Sequence, residues 1–321
     1  MGNVIQGGRM IVVTGGSGYV GSHIIRRLAN AGREIRALVR DRRRAEREAR
    51  LNGLSVDWVE ADVTRPDSLS EAFSGATIVI HTVAIAIERP GRTYERINVE
   101  GTANVLSAAK SAGARRFINM SQLGAQPNLP YRFLASKGKA QEWVAESGLD
   151  WTAFRPSVIW GPEDEFANTF ARLAQLTPLI FPIVGDGQSK FEPVWIEDVV
   201  TCVEKALDDK STFKREFELG GPEVLTLEQI ERRTLSALRA RRAFVRFPIP
   251  LIRVVVTLME RLLPAPPVTR SLLEQLAVDN VTSKNEISLF VDKPRPFTSE
   301  NIATYVRRFS VGRTIRQFMG S

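Results

Sequence analysis

Three glycines spaced three apart, Gly15, Gly18 and Gly21, follow a short apolar run and open a helical segment. No other feature constrains the chain as much. Ile11, Val12 and Val13 read as a buried strand, and a helix follows through His23, Ile24, Ile25 and Leu28. Each glycine answers a different physical need. The first makes the tight turn, the second lets the backbone approach a pyrophosphate, and the third lets the helix pack against its strand. The helix start adds unpaired N–H groups and a positive dipole end, both of which favour phosphate. The motif therefore predicts a nucleotide site at the first strand–helix turn.

Further apolar runs fall at 35–39, 56–61, 77–83, 116–120 and 151–155, with helical patterns near 19–31, 66–74, 98–112 and 136–147 between them. Such alternation predicts an α/β fold, a doubly wound parallel sheet of the Rossmann type, over residues 1–160. After Trp160-Gly161-Pro162 the alternation fades and Pro and Phe become more frequent. Residues 161–321 read as a smaller α+β lobe for a substrate or partner, some segments of which return to the first sheet. One helix start is clear there: Thr226, with Gln229 three residues later, forms a capping box before Ile230.

Composition narrows the function classes. A single cysteine, Cys202, rules out an internal disulfide, and with His23 and His81 it leaves no set of ligands for a transition metal. Residues 1–9 are polar and glycine-rich, so no signal peptide is expected, and Gln6 stands where a myristoylation signal needs Ser or Thr. A cytoplasmic location follows as the expectation. The net charge of +8 is carried mainly by arginine. No nucleic-acid motif accompanies it, so no nucleic-acid partner is expected. An anionic membrane surface, an acidic partner or a plain ion-paired surface all account for the charge. Residues 250–263, bracketed by Pro250 and Pro264, are apolar around most of a helix, with Arg253, Thr257, Glu260 and Arg261 on one face. This segment is too short to span a bilayer. Two readings remain: a helix packed in the core or at a subunit contact, or shallow contact with lipid at the inner membrane face.

The second strand ends in Arg40, where an acidic residue usually holds the ribose 2′-hydroxyl. A cation there pairs well with a 2′-phosphate, so NADP(H) is favoured over NAD(H). A shift of one residue would put the Asp41 carboxylate in that place instead. Arg42–Glu46, Arg44–Glu48 and Glu46–Arg50 have the spacing of ion pairs on a solvated helix face. Asp62 either meets the adenine amino group or simply starts a loop.

Taken together, Thr14-Gly-Gly-Ser-Gly-Tyr-Val-Gly21, Asp62-Val63, His81-Thr-Val-Ala84, Asn98-Val-Glu-Gly-Thr102, Ser121, Ser136-Lys137, Arg155-Pro156 and Val194-Trp-Ile-Glu-Asp-Val199 resemble the extended or atypical short-chain dehydrogenase/reductases. Phe191-Glu-Pro-Val194 and Leu219-Gly-Gly-Pro222 are most similar to a bacterial branch related to the NADPH-binding accessory subunit of respiratory complex I. The resemblance implies cofactor contacts from Gly15, Ser17, Gly18, Tyr19, Val20, Gly21, Arg40, Asp62, Val63, Thr82, Val83, Ala84, Lys137 and Pro156. It also implies a Tyr-x-x-x-Lys pair, in which the lysine lowers the phenol pKa and the tyrosine exchanges a proton. Four residues before Lys137 this chain has Phe133.

Three functions fit this pattern. The first is a nucleotide-binding protein with impaired redox chemistry, whose cofactor is structural or a sensor of supply. The second is an active oxidoreductase, epimerase or dehydratase on a sugar nucleotide or a hydrophobic small molecule. It would need another proton donor: Tyr131, a water held by Ser121, or Asp164. The third is an accessory or assembly protein in peripheral contact with the membrane or a respiratory complex. Ser121 and His81 each have a plainer reading, as a turn residue and a buried hydrogen-bonded histidine. The oligomeric state is left open.

Overall fold

The buried apolar runs become strands in register with one another. In the computed structural model, which describes residues 9–48, 51–177, 179–263, 268–276 and 278–306, β1 (Ile11–Thr14), β2 (Ile35–Val39) and β3 (Asp57–Glu60) pair in parallel. On the other side of β1 lie β4 (Ile78–His81), β5 (Arg116–Met120) and β6 (Asp150–Pro156), also parallel. The strand Arg215–Leu219 joins beside β6, so the seven-stranded order is 215–219, β6, β5, β4, β1, β2, β3. The order reverses between β1 and β4. In an open α/β sheet that switch point, at the carboxyl ends of the strands, is where ligands bind.

Helices α1 (Tyr19–Asn30), α2 (Arg42–Arg47), α3 (Asp67–Ala72), α4 (Gly101–Ser111) and α5 (Arg132–Ala145) connect these strands, and a π-helical turn, Glu95–Glu100, leads into α4. Val12, Leu38, Val79, Val105, Phe117 and Trp151 belong to one buried cluster of sheet and helix side chains. α5 begins four residues before the helical pattern predicts. Gly138 explains how it can sit there: a Cβ would lie 2.2 Å from the Gln126 carbonyl carbon, so the loop after β5 rests directly on the helix backbone.

The chain divides into two compact units, one formed by residues 1–156, 197–218 and 289–291. The other comprises residues 157–196, 219–288 and 292–321. Within it, Trp160 packs on Trp195 and Phe297 with ring centroids 4.5 and 5.1 Å away. The Thr226–Gln229 capping box is present, opening the helix Leu227–Ala237. The apolar segment near 250 forms the helix Ile249–Leu262, with Pro250 inside its first turn, where a missing N–H costs nothing. Only Val256 of this helix is buried, so of its readings the core one does not hold, and a subunit contact or a lipid contact is left. Residues 1–8, Arg50 and Pro264, on which some sequence expectations fall, lie outside the described residues.

Candidate cofactor site

Gly15 ends β1 in the left-handed region at φ +74°, which suits glycine alone without strain. Its carbonyl accepts the Gly18 N–H at 2.9 Å, and Leu38 O accepts the Gly16 N–H at 3.2 Å, fixing the turn against β2. A Cβ on Gly21 would stand 2.3 Å from the Gly15 oxygen. Gly18 occupies the N-cap of α1, and no side chain caps the helix. The first turn of α1 therefore presents its N–H groups beside a cradle that a single methyl group would fill.

A cavity of about 650 Å³ opens from this turn, within the range of small-molecule and cofactor sites. Gly15, Ser17 and Gly18 form one wall, Arg40, Asp62 and Val63 a second, and Thr82, Val83 and Ala84 a third. Arg40 directly follows β2 and is exposed. The Asp41 carboxylate instead accepts the Arg44 N–H at 2.8 Å and caps α2. Asp62 closes its own loop, accepting the Thr64 N–H and hydroxyl, each at 2.8 Å. Burial pushes its carboxyl up, but those bonds and the charges of Arg40 and Arg65 outweigh it and hold the group below its ordinary value.

Arg92 and Arg96 also line the cavity. Sequence reasoning missed both, although Pro90-Gly91 between Arg89 and Arg92 is a turn signal flanked by cations. The turn forms: Arg89 and Arg92 exchange backbone hydrogen bonds of 3.1 and 2.8 Å. Burial, then the charges of Arg40 and Arg89, lower the pKa of Arg92. Like charges crowd this wall, and an anion would relieve them.

At the carboxyl ends of β1 and β4 lies a buried polar chain. Thr102 donates its hydroxyl to Asn98 O at 2.7 Å, so its oxygen is placed to accept from His81 Nε2 at 3.0 Å. His81 Nδ1 then accepts from the Thr14 hydroxyl at 2.7 Å. Burial, with the Lys137 charge nearby, lowers the His81 pKa to about 3. The ring is neutral and holds β1, β4 and α4 together, the plainer of its two readings. Asn98 clasps Ile85 through both of its side-chain atoms and reaches Ser136 Oγ at 2.9 Å.

The chain carries an NAD(P)H-binding fold: a family described as NAD(P)H-binding matches residues 15–173. The mitochondrial NADH dehydrogenase (ubiquinone) 1 alpha subcomplex subunit 9 of Arabidopsis thaliana is 28% identical over 250 residues. That match covers 77% of this chain and 62% of the relative, so the chain spans less than two thirds of that relative's length. A ceramide reductase of Caulobacter vibrioides is 30% identical over 189 residues, 59% of this chain and 58% of its own. In fold, the chain superposes on a Thermotoga maritima UDP-glucose 4-epimerase with a TM-score of 0.70, covering 96% and 99% of the two chains at 18% identity. Together these likenesses support an extended, atypical short-chain dehydrogenase/reductase.

Lys137, the expected lysine of the pair, is buried on α5 and donates to Met120 O at 2.7 Å. Burial lowers its pKa to about 8. Four residues before it, the Phe133 ring lies tilted with its centroid 5.9 Å from that of Tyr94 and packs against Ile85 and Ile97. Tyr131 precedes the helix in extended backbone rather than lying on it. Ser121 is buried at the end of β5, and its hydroxyl has no partner among the described residues. Pro156 ends β6, where its carbonyl accepts the Leu123 N–H at 2.9 Å. Tyr19, Val20, Gly21, Ser121, Tyr131, Lys137 and Pro156 are not on the wall of the cavity. Asp164 belongs to the other unit. It is buried and accepts from Gly161 N, Phe166 N, Asn168 N and Tyr305 Oη, so its oxygens are already engaged.

Proposed function

We propose that the protein binds NADP(H) as a structural or sensing ligand and that its standard tyrosine-dependent chemistry is impaired. The observation that carries this reading is Phe133, an apolar ring packed on Tyr94 and Ile97 where the proton donor would stand. Phenylalanine has no proton to exchange. The nucleotide side of the site is built for binding. Gly18 leaves room for the pyrophosphate at the start of α1, and Gly21 lets that helix sit directly on the Gly15 turn. Arg40 and Arg92 supply charge for a 2′-phosphate, while Asp41, also on the cavity wall, has its carboxylate engaged in capping α2. Lys137 would hold the nicotinamide ribose. A bound nicotinamide supplies hydride exchange, but the side chains around it offer no tyrosine on the lysine's helix face to complete a reduction. At a hundredfold excess over the dissociation constant, such a ligand stabilises its protein by about 2.7 kcal/mol.

The likeness to a subunit of a respiratory NADH dehydrogenase supports a peripheral place beside such a complex, on the cytoplasmic side of the inner membrane. The alternative, an active reductase or epimerase on a lipid-like or sugar-nucleotide substrate, draws on the unpartnered Ser121 hydroxyl, the position of Tyr131 and the likeness to a ceramide reductase. NADPH absorbance separates the two when the protein is mixed with a panel of ketones and aldehydes. The proposal expects no oxidation above the protein-free rate, for the native chain and Tyr131→Phe alike. Oxidation that Tyr131→Phe or Ser121→Ala abolishes would overturn it.

A further inference from the structure

The helix Ile249–Leu262 carries an apolar stripe that its own unit does not cover. Leu251, Val254, Val255, Leu258 and Leu262 are each more than half exposed. At about 100° per residue these five fall within an arc of roughly 100°, along a helix about 21 Å long. The opposite side, with Val256 buried and Ile252 and Met259 half-buried, faces the protein. Arg261 borders the stripe and Arg253 lies further round the same side. Neither makes an ion pair among the described residues. The surrounding chain is strongly positive: residues 239–270 hold seven arginines, of which Arg246 pairs with Glu228 at 2.9 Å, and one glutamate. That glutamate, Glu260, is engaged by Arg270 through bonds of 2.6 and 2.9 Å. No helix among the described residues is long and apolar enough to cross a membrane.

An exposed apolar stripe marks an interaction surface, and its chemistry selects the occupant. A protein groove of matching shape needs no excess of positive charge around it. A bilayer with anionic headgroups meets both features, because its acyl boundary takes the leucines and valines while its phosphates attract the arginines. We propose that this helix lies in the plane of an anionic membrane interface and docks the protein there reversibly. The inference adds a physical contact to the peripheral location proposed above and does not depend on the nucleotide reading.

Co-sedimentation with vesicles tests it, using equimolar phosphatidylcholine and phosphatidylglycerol beside phosphatidylcholine alone. The native chain is expected to bind the anionic vesicles and to bind the neutral ones far more weakly. Val255→Asp with Leu258→Asp, and separately Arg253→Glu with Arg261→Glu, should each weaken anionic binding about tenfold or more. All four side chains are exposed, so both variants should keep the native melting temperature and NADPH affinity. The proposal falls if the native chain stays in the supernatant or if either variant binds as well as the native chain. It also falls if the native chain is a dimer that the Val255/Leu258 variant splits, since a second copy would then occupy the stripe.

Discussion

A methyl group on Gly21 would press 2.3 Å from the Gly15 carbonyl oxygen, where backbone cannot yield as a flexible side chain would. Gly21→Ala should therefore cost about 1–3 kcal/mol of stability in urea unfolding, as overpacking typically does. NADPH binding should weaken as well, because the turn itself must shift. Unchanged unfolding and affinity would mean that α1 moves off β1 freely. This requirement was legible in the sequence, because glycine spacing reports a backbone need directly. Arg40 was legible for the same reason, as the residue that ends a strand. Arg92 and Arg96 were not, since they reach the cavity through a turn and a π-helical segment whose course no short-range pattern specifies. Tyr131 is a finer case. As an alternative proton donor it could be named from the sequence, but its place just before α5, which starts at Arg132, could not.

At the scale of elements, α1 and the helix Ile196–Ala206 are joined mainly through the Glu197 carboxylate, with a further Arg27–Glu204 pair at 3.0 Å. Glu197 meets His23 Nδ1 at 2.8 Å, Arg27 Nη2 at 2.8 Å and Arg26 Nη2 at 3.0 Å. The His23 hydrogen bond, against the opposing effect of burial and with help from Arg27, lowers the Glu197 pKa from 4.5 to about 2. A carboxyl group depressed on folding stabilises the protein above its unfolded pKa and loses that contribution as pH falls through the folded one. Glu197 should thus contribute fully above 4.5 and progressively less toward about 2. Melting temperature followed over that interval should fall more steeply for the native chain than for Glu197→Gln. Parallel slopes would show that the carboxylate does not link the helices.

β1, β2, β4, β5 and β6 were legible because each is a short, mostly buried run of the sheet. β3, an edge strand with Asp57 and Glu60 exposed, was marked by Trp58 and Val59. The strand Arg215–Leu219 was not recognised. Phe217 and Leu219 are buried while Arg215 is exposed and Glu216 and Glu218 are half-buried, the alternation expected of an edge strand rather than a central one. The helix Ile249–Leu262 shows the reverse problem. Its apolar residues signalled a helix correctly, but apolarity alone does not say whether a core, a partner or a lipid covers them.

Over the whole molecule, the dinucleotide fold, the switch point between β1 and β4, and the glycine turn all converge on one cavity. In the proposed reading, Lys137 on α5 has Phe133 rather than a tyrosine one turn before it, and the nucleotide is held or sensed rather than turned over. The family was legible from its scattered motifs because several of them, Gly15, Ser17 and Gly18, Asp62-Val63, and Thr82 to Ala84, follow strand ends and line one cavity. The partner was not, because surfaces that meet other molecules follow no period that the chain's own folding imposes.

Calorimetric titration of nucleotide-free protein with NADPH and NADH, alongside Arg40→Asp, tests the central claim most directly. The account predicts clear binding with NADPH preferred, and a preference that collapses or inverts in the variant. If neither nucleotide binds, the glycine turn is architecture alone and the claim is contradicted.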